Sequence, residues 1–332
     1  MQENLAIVNN LPNPIMELPL VSVSIITYNH NKFIRQALDS VLAQAVDFRY
    51  EIIVGDDFSK DGTQDILREY QEKHPDKIQL ILHPRDYDCV PGRVNNITNL
   101  YACRGKYVAM LDGDDSWIST DKLQKQVDFL EKNKEYALVF SDTIFKYQDG
   151  KEVKFSETQT HLSNGNLDFT QKDIIQKGFI QTSSILFRNH LIGEFPDWFW
   201  KVYHADYAIQ LLASRYGRIR YFPEIFSLRN FYQESFSAPQ TQTLEKRKLF
   251  YDQYKLFEME FPDYLKYRYF TVGKGYFNLA FDSFGTMKFF TYISTSVKYT
   301  LMYFLTPYAS GKAKIGALKH IIFSSFVDRS SS

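Results

Sequence analysis

Tyr107-Val108-Ala109-Met110-Leu111-Asp112-Gly113-Asp114-Asp115-Ser116-Trp117 is the stretch on which the reading of this chain turns. An apolar run of strand length ends in three carboxylates spread over four residues. Short continuous apolar runs are how buried parallel strands read. In an open parallel sheet, ligands bind beyond the carboxyl ends of the strands. Like charges this close repel unless something positive neutralises them, and a hard divalent cation held by carboxylate oxygens meets that need. The competing reading is a solvated acidic turn, with Asp114 or Ser116 capping a following helix. The rest of the chain decides between them.

Upstream, Val21–Thr27 is short and β-branched, as a buried strand should be. Phe33, Ile34, Ala37, Leu38, Val41 and Leu42 then fall on one helical face, with Asn31 as the expected cap. Glu51–Val54 is a second apolar strand that runs into Asp56-Asp57. Ser59–Thr63 is turn chemistry. The helix carrying Ile66, Leu67 and Tyr70 ends at His74-Pro75. Ile78–Leu82 is a third strand, Pro84–Gly92 a loop, and Asn95–Ala102 a helix leading into the opening stretch. Strands alternating with helices predict a mostly parallel α/β sheet covered on both faces. Thr27-Tyr28-Asn29, Asp56-Asp57 and Asp112–Asp115 then share one edge of that sheet, which weighs against a mere acidic turn. Neither GxGxxG after the first strand nor GxxxxGK[ST] anywhere is present. A phosphate ligand would therefore need a metal bridging its oxygens to the carboxylates.

The chain has 332 residues, enough for two domains or one large domain with an appendage. Lys+Arg and Asp+Glu are both 39, so no polyanionic partner is favoured and nucleic acid is not expected as a ligand. Cys89 and Cys103 resemble neither a zinc ligand set nor a disulfide framework, which suits reduced thiols in a cytoplasmic protein. Neither a signal peptide nor a run of apolar residues long enough to span a bilayer is evident.

Ser24-Ile25-Ile26-Thr27-Tyr28-Asn29, then Val54-Gly55-Asp56-Asp57 with Ser59 and Asp61-Gly62-Thr63, then Gly105 through Trp117 resemble the family 2 glycosyltransferases in order and spacing. The resemblance covers about residues 20 to 120 and continues more weakly to about 236. It implies a GT-A (Rossmann-like) fold and an inverting, metal-dependent transfer of one sugar from a nucleotide diphosphate donor, most often a UDP-sugar. The acceptor would be a glycan or a lipid-linked glycan in bacterial surface polysaccharide assembly. Carried over by position, Thr27, Tyr28, Asn29, Asp57, Arg93, Asp112, Gly113, Asp114 and Arg229 bind the nucleotide sugar. Asp114, with Asp112, holds Mn2+ or Mg2+, and Asp115 supports that site. Phe58 stands where the family more often has Gly, Asn or Cys. The implied layout is an irregular leader over 1–20, a GT-A domain over 21–240 and a helical region over 241–332. Within the domain, 21–120 takes the nucleotide sugar and 121–240 the acceptor.

Downstream, Asp121–Glu131 reads as a helix and Ala137–Ser141 as a strand. Phe145–Asp168 reads as a hairpin or excursion, and Gly178–Arg188 as a strand with hydroxyls in its middle. The resemblance puts that strand in the acceptor site, with Thr182 and Ser183 as candidate contacts. Trp198–Leu212 crowds aromatics onto an Asp at the head of a helix, where an anion is favoured. Asp206 matches the family's catalytic base, although Ala205 stands where the family has Glu. Trp200 and His204 are further acceptor candidates. Leu228–Asn230 through Ser237 resembles the family's closing segment. No Q-x-x-R-W follows, which favours one sugar per encounter.

From Thr286 to Ser332 six basic residues face one acid, a net +5 within a neutral chain. Mixed with aromatics on helices, that charge suits an anionic membrane surface, the inner face of the cytoplasmic membrane. A packed appendage or a homodimer contact is the other reading. Two further function classes stay open: a nucleotidyltransferase of similar topology, and a nucleotide-sugar-binding module without catalysis, for which Ala205 is the hint.

Overall fold

The computed structural model describes residues 18–84, 92–178, 180–232, 243–261, 264–306 and 314. The chain forms two compact units, one of residues 1–196 with 205–233 and one of residues 197–204 with 234–332. Most of the expected leader, Cys89, and the segment Ser235–Ser237 lie outside the described residues.

In the first unit the elements run β1 (Val21–Thr27), α1 (Ile34–Leu42), β2 (Tyr50–Asp56), α2 (Thr63–Lys73), β3 (Ile78–Leu82), α3 (Arg93–Ala102) and β4 (Tyr107–Asp112). They continue β5 (Ser116–Trp117), α4 (Lys122–Lys132), β6 (Tyr136–Tyr147), β7 (Glu152–Lys154), α5 (Thr160–Ser163), β8 (Asp168–Phe169), α6 (Gln171–Lys177), β9 (Leu186–Arg188), α7 (Ala205–Ala213) and β10 (Arg218–Phe231). The sheet order is β3-β2-β1-β4-β9-β6-β10-β5, with β7 beside β6 and β8 beside β10. The six longest strands are parallel; the four short ones pair antiparallel. Register pairs Ile26 with both Gly55 and Asp112, so β1, β2 and β4 end level. The core between sheet and helices holds Val23, Ile25, Leu38, Val54, Leu111 and Val127 among others. These are the apolar positions the helical and strand periods select.

Glycine at position 55 lets α3 close on the sheet. Asn95 donates to the Gly55 carbonyl and Asn99 to the Ile25 carbonyl. A Cβ on residue 55 would fall 1.8 Å from Asn95 Oδ1. Four expectations are corrected. Asn31 does not cap α1: its side chain donates to the Asp61 carbonyl, and the helix begins at Ile34. Thr182–Ser184 is a 3-10 turn, and only Leu186–Arg188 is strand, because three residues suffice to bridge β4 and β6. The strand expected at Ala137–Ser141 runs from Tyr136 to Tyr147, held by β10 and by the β7 hairpin. Leu228–Asn230, the start of the expected closing segment, is strand within β10.

The second unit contains a 3-10 turn (Asp197–Lys201), α8 (Leu244–Glu260), α9 (Tyr269–Asp282) and α10 (Met287–Leu305). Thr243 caps α8 by accepting from the Lys246 amide at 3.2 Å. Its interior is aromatic: Phe257 sits 5.6 Å from Trp198 and 5.2 Å from Tyr264, centroid to centroid. Helices α9 and α10 approach closely enough for Ser296 to donate to the Gly273 carbonyl at 2.8 Å. No helix among the described residues is long and apolar enough to cross a membrane.

Candidate active site

The loops after β1 and β2 are bonded to each other. The Asn29 amide donates to Ser59 Oγ, the Lys60 amide donates to Asn29 Oδ1, and the His30 amide donates to Thr63 Oγ1. Asn29 takes the left-handed backbone region with φ 55°, which asparagine tolerates. Phe58 takes it with φ 68°, which a bulky side chain does not favour. Of the Gly, Asn or Cys that the resemblance leads one to expect there, Gly and Asn suit that backbone. The Asp57 amide donates to the Thr27 carbonyl, and one Asp57 carboxylate oxygen accepts from the Gly92 amide at 3.0 Å. Tyr28 is exposed at this edge, whereas Arg93 is buried at the start of α3.

The acidic turn after β4 is pinned from several sides. The Gly113 amide donates to the Ile26 carbonyl. A Cβ on residue 113 would lie 2.7 Å from Thr27 Cβ and 3.0 Å from His30 Nδ1, so the turn can press on β1 only with glycine there. Asp114 Oδ2 accepts from the Tyr232 hydroxyl at 2.9 Å and lies 3.8 Å from His30 Nε2. Asn230 donates to the Asp114 carbonyl at 2.7 Å, and its amide reaches Asp115 Oδ1 at 3.3 Å. Asp115 is buried and accepts from the Ser183 hydroxyl. No described residue donates a hydrogen bond to the Asp112 carboxylate.

Burial, then the neighbouring Asp114 charge, raise Asp112 to about 7; Arg229 opposes the rise and Asp206 adds to it. Asp115 is pushed well above the usual carboxylate range, by burial first and then by Asp114 and Asp112. Four carboxylates and one guanidinium therefore act on one another at this edge of the sheet. The arrangement favours a cation among them.

Asp206 lies in the first turn of α7 and accepts from the Thr182 hydroxyl at 2.8 Å. Arg229 donates to Gln181 Oε1 at 2.7 Å. Thr182, an acceptor candidate, is thus a partner of Asp206. Ser183, the other, is 1% exposed with its hydroxyl committed to Asp115, so it supports the acidic turn and does not face an acceptor. Behind the turn, Trp117 Nε1 donates to the Ser183 carbonyl and Gln126 Nε2 to the Ser184 carbonyl. Trp200 and His204 belong to the second unit, where His204 bonds Gln253 of α8 through its backbone amide. His30, Tyr232, Asn230 and Gln181 are site neighbours that sequence reading missed. Each had a signal of place and none of contact: His30 follows Thr27-Tyr28-Asn29, Asn230 and Tyr232 lie in the expected closing segment, and Gln181 lies in the expected acceptor strand.

The family profile named Glycosyl transferase family 2 matches residues 22–192, just over half of the chain. The chain belongs to this family. A Mycobacterium tuberculosis protein of no named activity is 32% identical over 193 residues, 56% of this chain and 54% of that one. TuaG of Bacillus subtilis, named for teichuronic acid biosynthesis, is 36% identical over 132 residues, 40% of this chain and 50% of that protein. The chain spans about half the length of these curated relatives. Staphylococcus aureus TarS 1-349 in complex with UDP-GlcNAc superposes with a TM-score of 0.58 at 19% identity, covering 85% of this chain and 81% of that one. Mannosyltransferase PcManGT of Pyrobaculum calidifontis, in complex with GDP-Man and Mn2+, gives 0.52 at 16%, covering 94% and 82%. At such identities the likeness carries the fold, and the fold is GT-A.

For this family 2 chain the donor set bears on whether a divalent ion fits. No three His, Cys, Asp or Glu among the described residues form a closed metal cage. Asp112 and one oxygen of Asp114 remain open carboxylate donors beside each other. Mg2+-like ions are commonly held by one or two carboxylates plus substrate phosphates, and this pair fits that arrangement.

Proposed function

We propose that this chain is an inverting, non-processive glycosyltransferase moving one sugar from a nucleotide diphosphate donor, most often uridine-linked, to a hydroxyl of a glycan or lipid-linked acceptor. Surface polysaccharide assembly is the setting, a reading supported by the likeness to TuaG. The observation that carries the proposal is the gathering of Asp112, Asp114, Asp206 and Arg229 at the level ends of β1, β2 and β4. We assign the GT-A domain to about residues 21–240 and the helical region to residues 241–332.

In this reading Thr27, Tyr28, Asn29 and Asp57 bind the nucleoside, with Arg93 and Gly113 in the same wall. Asp112 and Asp114 hold Mn2+ or Mg2+, which when bound offsets the charge developing on the diphosphate. Arg229 adds fixed positive charge beside it. Asp206 accepts the proton of the acceptor hydroxyl as that oxygen bonds to the anomeric carbon from the face opposite the diphosphate. The carbon–oxygen bond to the diphosphate breaks, and its electron pair leaves with the phosphate. Thr182, donating to Asp206, orients that carboxylate.

The test is a thermal-shift screen of nucleotide diphosphate sugars with Mn2+, since a bound donor stabilises the fold by mass action, followed by transfer assays. Asp206→Asn should bind donor as the parent does and transfer no sugar. Asp114→Asn should lose Mn2+-dependent stabilisation by donor together with turnover. Turnover equal to the parent in either variant would falsify the assigned role.

A further inference from the structure

Helix α10 of the second unit is 19 residues, about 28 Å at 1.5 Å per residue. Its inner face is accounted for: Tyr292, Ser296 and Tyr299 are buried, with Tyr292 5.9 Å from Tyr276 and Tyr299 6.0 Å from Tyr269 on α9. Its outer face is not. Met287, Phe290, Val297, Leu301 and Leu305 are 52–83% exposed. Their spacings, with exposed Ser294 between, align them along one side of the helix. Phe284, in the turn before α10, is 76% exposed and continues the stripe. Contiguous exposed apolar surface of this kind marks an interaction face.

The charges say what covers it. Lys288 and Lys298 flank the stripe, both exposed, and α10 has no Asp or Glu. Beyond Thr306 the sequence adds Lys312, Lys314, Lys319 and Arg329 against Asp328 alone. Lys314 donates to the Phe304 and Thr306 carbonyls at 2.9 and 2.7 Å. Two copies pairing along this face would bring lysine toward lysine with no acid on either helix to compensate, and like charges across an interface are unfavourable. An apolar stripe with basic flanks, on a helix not apolar enough to span, is the pattern of a helix lying in the headgroup region of an anionic bilayer.

We propose that the outer face of α10, from Phe284 to Leu305, is a membrane-docking surface that lies on anionic lipid with Lys288 and Lys298 at the phosphates. The inference stands independently of the sugar-transfer reading. It is tested with the full chain by cosedimentation with vesicles of phosphatidylcholine, alone and mixed with phosphatidylglycerol. The protein should pellet with the mixed vesicles and be released by added salt. Phe290→Glu with Leu301→Glu should abolish pelleting, with unchanged gel filtration and melting temperature, because both side chains are exposed. Lys288→Gln with Lys298→Gln leaves the apolar stripe intact and should weaken binding about fivefold per lysine. The proposal is overturned if the protein does not pellet with mixed vesicles, or if either double variant pellets as the parent does. A dimer that the double glutamate variant dissociates, without lipid binding, would assign the face to a second copy and overturn it too.

Discussion

Replacing Lys122 with Met should stabilise this protein near neutral pH and lose that advantage in alkali. Lys122 opens α4 and is fully buried. Its ammonium donates to Gln126 Oε1 at 2.9 Å and stands 4.2 Å from the centre of the Trp117 ring. Burial alone pushes it down from 10.5 to about 7. Between those values the unfolded chain holds one proton more than the folded one, so stability rises with pH by about 1.4 kcal/mol per unit. Across the whole window that integrates to about 5 kcal/mol as an upper bound. The Trp117 face attracts the ammonium by up to about 2 kcal/mol, which narrows the window and leaves about 3 kcal/mol. Met removes this cost but leaves Gln126 Oε1 buried without its donor, a loss of about 1–3 kcal/mol. Lys122→Met should thus be about 1 kcal/mol more stable than the parent near pH 7 and less stable near pH 10. Urea unfolding of both proteins at several pH values measures this, and their difference cancels every group they share. A difference that stays constant with pH would mean that Lys122 keeps its proton in the folded state, and the burial argument would fail.

Phe58→Asn should raise the melting temperature. A non-glycine residue with φ 68° carries about 1–2 kcal/mol of strain, of which the lost contact of Lys60 with the ring offsets about 0.5–1 kcal/mol. A lower melting temperature would show that the ring's packing outweighs the strain. Mn2+ affinity in the presence of a nucleoside diphosphate should climb up to tenfold per pH unit and level off above about 7, because the cation displaces the proton that burial and Asp114 hold on Asp112. Calorimetric titrations across that range read it directly, and a flat profile would remove Asp112 from the cation's site.

Strands β1, β2 and β4 were legible because each is buried on both faces and is written as a run of apolar residues with turn chemistry at its end; β3, half-buried at the sheet edge, was legible from its apolar residues alone. The family motifs lie on those strand ends, so the acidic half of the site was legible with them. The limits of β9 were not: Leu186-Phe187-Arg188 is too short to separate from the hydroxyl turn before it, and its place between β4 and β6 marks where the strand begins. The extent of β10 was hidden by Pro223, which cannot donate a hydrogen bond to a strand ladder. The structure holds it as a register shift between Phe222 and Ile225, where a strand can accept proline. Tyr232 and Asn230 reach Asp114 across more than a hundred residues of chain, a separation at which no local pattern predicts contact.

What each carboxylate of the turn can do follows from what already satisfies it. Asp115 accepts on both oxygens, from Ser183 and from the Asn230 amide, and is buried. A cation bound there would have to displace protein bonds. Asp114 has one oxygen taken by Tyr232 and, among the described residues, no donor on the other. Asp112 has no donor among the described residues, and desolvation and Asp114 raise it to about 7. Burial raises Asp115 as it raises Asp112, but the Asp115 oxygens are already held by the Ser183 hydroxyl and the Asn230 amide. In the proposed reading a cation would enter at Asp112 and the open oxygen of Asp114 without displacing a hydrogen bond from a described residue. The family resemblance implies Asp114 and Asp112 as the residues that hold the metal and Asp115 as their support, and the hydrogen bonds already made at Asp115 are a physical argument for that proposal.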